Sequence, residues 1–132
     1  GEMSAHHYFK EFTCADTGMV PWLLVLEQMS KTGRSLEDLV GEMMANFPCS
    51  GEINRRVEDG QAVLAKLERI YDPEHKGLYI DGIAVEFDRW RFNVRISNTE
   101  PVIRLNLETK SDPLLLRMKT KELLLAIGGV EA

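Results

Sequence analysis

Basic charge is in short supply in this chain of 132 residues, where 16 Lys and Arg stand against 21 Asp and Glu for a formal net charge of −5. A nucleic-acid role needs Lys and Arg clustered against a phosphate backbone, and here they are scattered among more numerous acids. Cysteine is scarcer still: Cys14 and Cys49 are too few and too far apart for a disulfide framework or a zinc site. No apolar run approaches the ~18 residues that would span a membrane, and no secretory leader pattern appears. The expectation is a cytoplasmic protein with neither nucleic acid nor membrane as partner. What is present is 44% hydrophobic content, enough for a real core, and 28% charged residues, which does not indicate disorder.

Periodicity supplies the elements. Pro21 suits a first helical turn, and Trp22, Leu23, Leu26 and Met29 recur at helical spacing over about Val20 to Lys31. After Gly33, Ser35 and Asp38 form a capping signature for a second helix carrying Leu36, Leu39, Val40, Met43 and Met44, which Pro48 ends. Both apolar stripes are expected to be core. A new pattern begins at Cys49: a short strand through Ile53 and Val57, then a helix begun near Asp59 with Val63, Leu64, Leu67, Ile70 and Tyr71 on its buried face. Three alternating strands follow, through Ile83, Val85 and Phe87, then Trp90 to Ile96, then Ile103, Leu105 and Leu107. Asp112 and Pro113 start a last helix as N-cap and N1, with Leu116, Leu123, Leu124 and Ile127 as its stripe before Gly128-Gly129. The fold class predicted for 49–132 is α+β, an antiparallel sheet with helices on one face.

Two segments stand out, the first as the equipment for holding a phosphate or, in its plainer reading, an ordinary polar hairpin tip. Arg95-Ile96-Ser97-Asn98-Thr99-Glu100-Pro101 gathers an arginine, hydroxyls and an amide at a hairpin tip, and alternation puts Arg95 and Ser97 on one side. A guanidinium fork matches phosphate oxygens in pairs, and Ser97, Asn98, Thr99 and the turn's N–H groups add donors. Glu100, a carboxylate beside that site, is expected to point away, and Arg91 and Arg104, charged positions near the tip, read first as a solvated strand face, with Arg104 the next phosphate candidate after Arg95. At the other end of the chain, Glu2 and Ser4 are two apart, so an extended loop turns both to one side, although by themselves these residues read as a frayed terminus. The adjacent His6 and His7 point apart, and His75 is distant, so no metal site is expected.

Together, Gly1-Glu2-Met3-Ser4-Ala5-His6 and Arg95 to Pro101 resemble the α-D-phosphohexomutases, in the bacterial phosphomannomutase/phosphoglucomutase branch. Further similar text lies between them, at Asp16 to Trp22, Ser50 to Asn54, Ile80-Asp81-Gly82 and Trp90 to Asn93. The resemblance implies that residues 1–48 are the C-terminal part of a mutase third domain, the helical end of an α/β unit, and that 49–132 are its fourth, phosphate-binding domain. It implies a sugar loop of Glu2, Ser4 and His6, with His6 near the reacting end as donor or proton shuttle. It also implies a phosphate loop of Arg95, Ser97, Asn98 and Thr99. The family's active serine, in a Ser-His-Asn-Pro setting, and its aspartate metal loop do not occur here. The chain therefore reads as an inactive C-terminal portion, with the remaining mutase domains as partners and the phosphosugar as substrate. In the intact enzyme the resemblance implies Mg²⁺ and a bisphosphorylated sugar activator. The reaction implied is interconversion of mannose 6-phosphate and mannose 1-phosphate, with the glucose pair as an alternative, through a phosphoserine. Phosphoglucosamine mutase is the rival within the family, and Met3 and Asn98 favour the mannose branch. A non-enzymatic phosphate-binding or interaction module is the rival outside it, and the sugar motif at Glu2 and Ser4 counts against it.

Overall fold

The computed structural model describes residues 6–74, 76–97 and 100–132. The chain divides into two compact units, residues 1–43 and 44–132.

In the first unit a loop with a short 3-10 turn at Lys10–Phe12 leads into helix α1, Met19–Thr32, which Gly33 closes by donating its N–H to the Met29 carbonyl. Ser35 and Asp38 cap α2, Leu36–Asn46, reciprocally: the Asp38 N–H donates to Ser35 Oγ at 3.1 Å, and the Ser35 N–H donates to the Asp38 carboxylate at 3.3 Å. The helices form as expected, but their apolar stripes are not core. Among the described residues neither helix has a buried side chain; Trp22, Leu23, Leu26, Leu36, Val40, Met43 and Met44 are all exposed. Periodicity identifies the face of a helix that wants cover, and cover depends on a partner surface that the helix does not encode.

The second unit is a sheet with helices on one face. Its elements are β1 (Ile53–Arg56), α3 (Gly60–Tyr71), β2 (Ile83–Glu86), β3 (Trp90–Ile96), β4 (Val102–Thr109), α4 (Pro113–Ile127) and β5 (Val130–Glu131). The sheet is antiparallel, in the order β2-β3-β4-β1-β5. Ahead of β1, the Ser111 and Thr109 N–H groups donate to the carbonyls of Asn46 and Pro48, and the Ser50 N–H donates to that of Leu107. These bonds tie 46–50 to β4, so the compact division falls a few residues before the boundary expected after 48.

Alternation sorts the strands. Ile83, Val85, Phe92, Val94, Ile103, Leu105 and Leu107 are buried together with Leu67 of α3 and Leu123 and Ile127 of α4. Ile70, expected on the buried side of α3, is exposed, whereas Val63, Leu64 and Tyr71 do pack against the core. The Asp59 carboxylate accepts from the Ala62 N–H at 2.9 Å and the Asp112 carboxylate from the Leu115 N–H at 2.8 Å, which fixes where α3 and α4 begin. At the β3 end, Trp90 stacks on Phe87 with centroids 4.3 Å apart and meets Tyr71 edge-on at 6.2 Å.

One strand escaped the sequence pattern. β5 is two residues long and pairs Val130 and Glu131 with Arg56 and Arg55. The turn into it needs Gly129, at φ +68, because a Cβ there would lie 2.2 Å from the Arg56 carbonyl oxygen. No described helix is long and apolar enough to cross a membrane.

Candidate functional site

The second unit's candidate site is the open face of the sheet. β3 and β4 pair so that Arg95 stands directly opposite Arg104. Directly opposed residues bring their Cβ atoms to about 5 Å, and like charges there repel. Placing two guanidinium groups in register is therefore a cost that an anion would offset. Carboxylates surround them meanwhile. Glu52, just before β1, lies 3.4 Å from Arg95 Nη2 and 3.6 Å from Arg104 Nη1. Asp81 lies 3.7 Å from Arg95, and Glu100 lies 3.7 Å from Arg104. These are loose pairs, longer than a well-formed charge-assisted hydrogen bond.

The loop after β3 begins at Ser97, whose N–H donates to the Val102 carbonyl at 2.9 Å. Its hydroxyl accepts from the Glu100 N–H at 3.3 Å and lies 3.5 Å from Arg104 Nη2. Arg95 and Ser97 thus both neighbour Arg104. Arg104 is only 27% exposed and holds a buried Nε with no hydrogen-bond partner among the described residues. It is not the solvated strand residue expected. Arg91 is the more open of the two and pairs with Glu108 at 2.7 Å across β3 and β4. Glu100, expected to turn away, stays beside Arg104, drawn by the concentrated positive charge. Asn98 and Thr99 lie outside the described residues.

Asp81 reaches this face through Gly82. With φ at +117, and with a Cβ that would sit 2.2 Å from the Val94 carbonyl oxygen, position 82 admits only glycine without displacement. Sequence reading did not single out Glu52 or Asp81 as site residues, and it held Arg104 only as the next phosphate candidate after Arg95. Alternation from Ile103 and Leu105 could have set Arg104 on the polar face. Its position opposite Arg95 depends on hairpin register, which follows from turn geometry.

In the first unit, His6 Nδ1 lies 2.6 Å from Asp16 Oδ2, and Asp16 Oδ1 accepts the His7 N–H at 3.2 Å. The hydrogen bond with His6 is the main reason that the Asp16 carboxyl is held below its ordinary value, with the His7 N–H adding to it. Glu2 and Ser4 lie outside the described residues. Among the described residues, no group of three or more His, Cys, Asp or Glu could hold a metal ion.

The second unit also has a concavity that lies elsewhere. It is a cleft of about 660 Å³ lined by Tyr71, Asp72, Gly77, Phe92 and Asn106 among others, without Arg95, Ser97 or Arg104. Asp72 is 5% exposed there and accepts from the N–H groups of Lys76 and Gly77, at 2.8 and 2.7 Å, and from the Tyr79 hydroxyl. That network closes a loop, and charge and donors for an anion concentrate instead at the arginine pair.

Residues 52–125 match the phosphoglucomutase/phosphomannomutase C-terminal domain, and residues 1–47 match alpha/beta/alpha domain III of the same family. Phosphohexose mutases of Xanthomonas campestris pv. campestris are 55% identical over 124 residues, which is 93% of this chain and 28% of theirs. A phosphomannomutase of Salmonella montevideo is 50% identical over 125 residues, covering 94% of this chain and 27% of its own. Among solved structures, a phosphoglucomutase/phosphomannomutase family protein from Burkholderia thailandensis superposes with a TM-score of 0.65 at 26% identity, over 99% of this chain and 29% of that one. The chain thus spans a little over a quarter of the length of the curated relatives it matches, 28% of the first of them.

Proposed function

Because the chain belongs to the phosphoglucomutase/phosphomannomutase family, we propose that it is the sugar- and phosphate-recognition portion of a phosphomannomutase. On this reading residues 1–48 are the end of its third domain and 49–132 its fourth. The complete enzyme interconverts mannose 6-phosphate and mannose 1-phosphate, with the glucose phosphates as a second pair, through a phosphoserine and a bisphosphorylated sugar. This portion alone does not turn over. Mg²⁺ serves that enzyme by neutralising charge on the transferring phosphoryl group, and the residues described here do not fit it. Its ligands belong to the mutase's other domains, and the compartment is the cytoplasm.

The observation that carries the reading is the opposed pair Arg95 and Arg104. A phosphate dianion between two guanidinium groups turns their repulsion into two sets of charge-assisted hydrogen bonds. Ser97 stands beside them, and on this reading Asn98 and Thr99 add further donors. The phosphate held here is the one not being transferred, while Glu2 takes the ring hydroxyls with Ser4 assisting and His6 lies near the reacting end as donor or proton shuttle. Catalysis by such a portion is positional: fixing the sugar converts an encounter into a directed displacement.

Titration of the chain with mannose 1-phosphate, followed by NMR, tests the reading. The amides of Ser97 and Glu100 and the side chains of Arg95 and Arg104 are expected to shift together. Arg95→Ala is expected to remove an interaction worth about 1.5–3 kcal/mol and, within the complete mutase, to lower kcat/KM by roughly ten- to a hundred-fold. Arg104→Ala is expected to match it. Loop resonances that stay still up to high sugar phosphate, or kinetics that ignore both substitutions, would sink the assignment.

A further inference from the structure

The loop that follows the sugar motif is built around one carboxylate. Asp16 forms an isolated antiparallel bridge with Tyr8, and the Thr17 N–H donates to the His7 carbonyl at 3.0 Å. Between them the chain reverses through Thr13 and Cys14, both at positive φ (53° and 54°), and the Phe12 and Cys14 N–H groups share the Phe9 carbonyl. Two successive non-glycine residues in that region cost on the order of 1–3 kcal/mol each. The result of that strain is to bring Asp16 back beneath His6 and His7.

Closing the loop needs only one oxygen of Asp16, the Oδ1 that accepts the His7 N–H. The other oxygen is spent on the His6 ring, at 2.6 Å. Stability does not explain this contact, since the two side chains are 51% and 44% exposed and an exposed pair contributes little. Orientation does explain it. A carboxylate at Nδ1 makes that nitrogen the donor, which leaves Nε2 of the neutral ring with the lone pair and turns it away from Asp16. The other titratable groups of this loop are His7, Tyr8, Lys10, Glu11 and Cys14.

We propose that Asp16 is a positioning residue that holds His6 in the Nδ1–H form and aims Nε2 at the sugar. The proposal rests on the reading above, in which His6 lies at the reacting end. Nε2 then takes the proton that the attacking sugar hydroxyl loses as its oxygen bonds to phosphorus and the serine oxygen leaves. The imidazolium so formed is stabilised by Asp16. That proton then goes to the other sugar oxygen, the one that parts from phosphorus when the bisphosphorylated sugar, turned in the site, passes its other phosphoryl group back to serine.

Ring-nitrogen NMR on this chain tests the positioning without any turnover. At a pH where the ring is neutral, His6 is expected to carry its proton on Nδ1, against the Nε2–H preference of a free histidine side chain. Asp16→Ala is expected to return it to Nε2–H, while Asp16→Asn, which keeps an acceptor oxygen without charge, keeps Nδ1–H. His6 already in the Nε2–H form, or unmoved by Asp16→Ala, overturns the proposal. Should Asp16→Ala open the loop, the unsubstituted chain and His6→Ala decide from the other side. The Asp16 carboxyl carbon should titrate below the ordinary range and move back up when the ring is gone, and no change would count against the contact. The reading beneath is tested separately by mannose 1-phosphate: a tautomer that depends on Asp16 with His6 ring shifts indifferent to the sugar upholds the positioning and removes its role in the mutase. Within the complete enzyme, Asp16→Ala is expected to lower kcat by up to about a hundred-fold with KM little changed. Equal losses in KM and in kcat for Asp16→Ala and Asp16→Asn would show a structural role instead.

Discussion

Arg95 and Arg104 occupy positions where local rules argue against them, opposite one another and in a chain of net negative charge. Truncating either to alanine relieves a repulsion and opens no core cavity, so the melting temperature should hold while phosphate affinity falls. Gly82 is the reverse case, a residue with no chemistry on which a charged neighbour depends. Gly82→Ala places a methyl group against the Val94 carbonyl and forces a φ that alanine rarely adopts. It should destabilise the second unit by about 1–3 kcal/mol from backbone strain alone, read by urea unfolding, and should shift the resonances of Asp81 and Arg95 together. Unchanged stability in Gly82→Ala would mean that the loop adopts another path.

Between the elements, the aromatic end of the sheet joins α3, β3 and α4. The Tyr71 hydroxyl donates to Glu122 at 2.9 Å, Lys119 pairs with Glu122 at 2.8 Å, and the Lys119 ammonium sits over the Trp90 ring, 4.9 Å from its centroid. Burial, then the hydrogen bond to Glu122, pushes the Tyr71 hydroxyl up to about 12 from 10.0. The folded state thus holds this proton more tightly than the unfolded chain. Its contribution is complete below pH 10 and is lost as pH rises from about 10 towards 12. Stability measured by denaturant over that window should fall less steeply in Tyr71→Phe than in the unsubstituted chain; identical slopes would mean that the hydroxyl is not held this way. Tyr79, raised to about 12 chiefly by its hydrogen bond to Asp72, contributes a parallel slope, which is why the comparison between variants and not the raw curve carries the test.

At the scale of the whole molecule the two units differ in what they bury. The second encloses a sheet and two helices around a contiguous core, whereas α1 and α2 bury no side chain among the described residues. Amide exchange should follow that difference. Val94, Leu105 and Leu107 should exchange only on global unfolding of their unit, while the amides of α1 and α2 should exchange through local opening many times faster. Comparable protection in both would mean that the helices have found a partner surface. Such a surface would also quiet the exposed Trp22, Leu23 and Leu26 as sites of self-association.

Much of this was determined by the sequence alone. The helices of α1 to α4, their caps at Ser35, Asp59 and Asp112, and the alternation of β2, β3 and β4 are local matters, set by neighbours three or four positions away or by a period of two. The proposed phosphate loop could be read because its donors are nearly contiguous, whereas the proposed sugar loop could be read only through the family resemblance. Tertiary structure alone decided the rest. Whether an apolar stripe becomes core depends on a surface from elsewhere in the chain, and α1 and α2 carry the stripe without the cover. Glu52 meets Arg95 across a sequence gap that pattern reading does not bridge, and β5 is held by pairing and one glycine where its own residues carry no strand signal. Opposition of Arg95 and Arg104 is a property of register, fixed when a hairpin closes, since a slip of one residue would send one arginine to the other face.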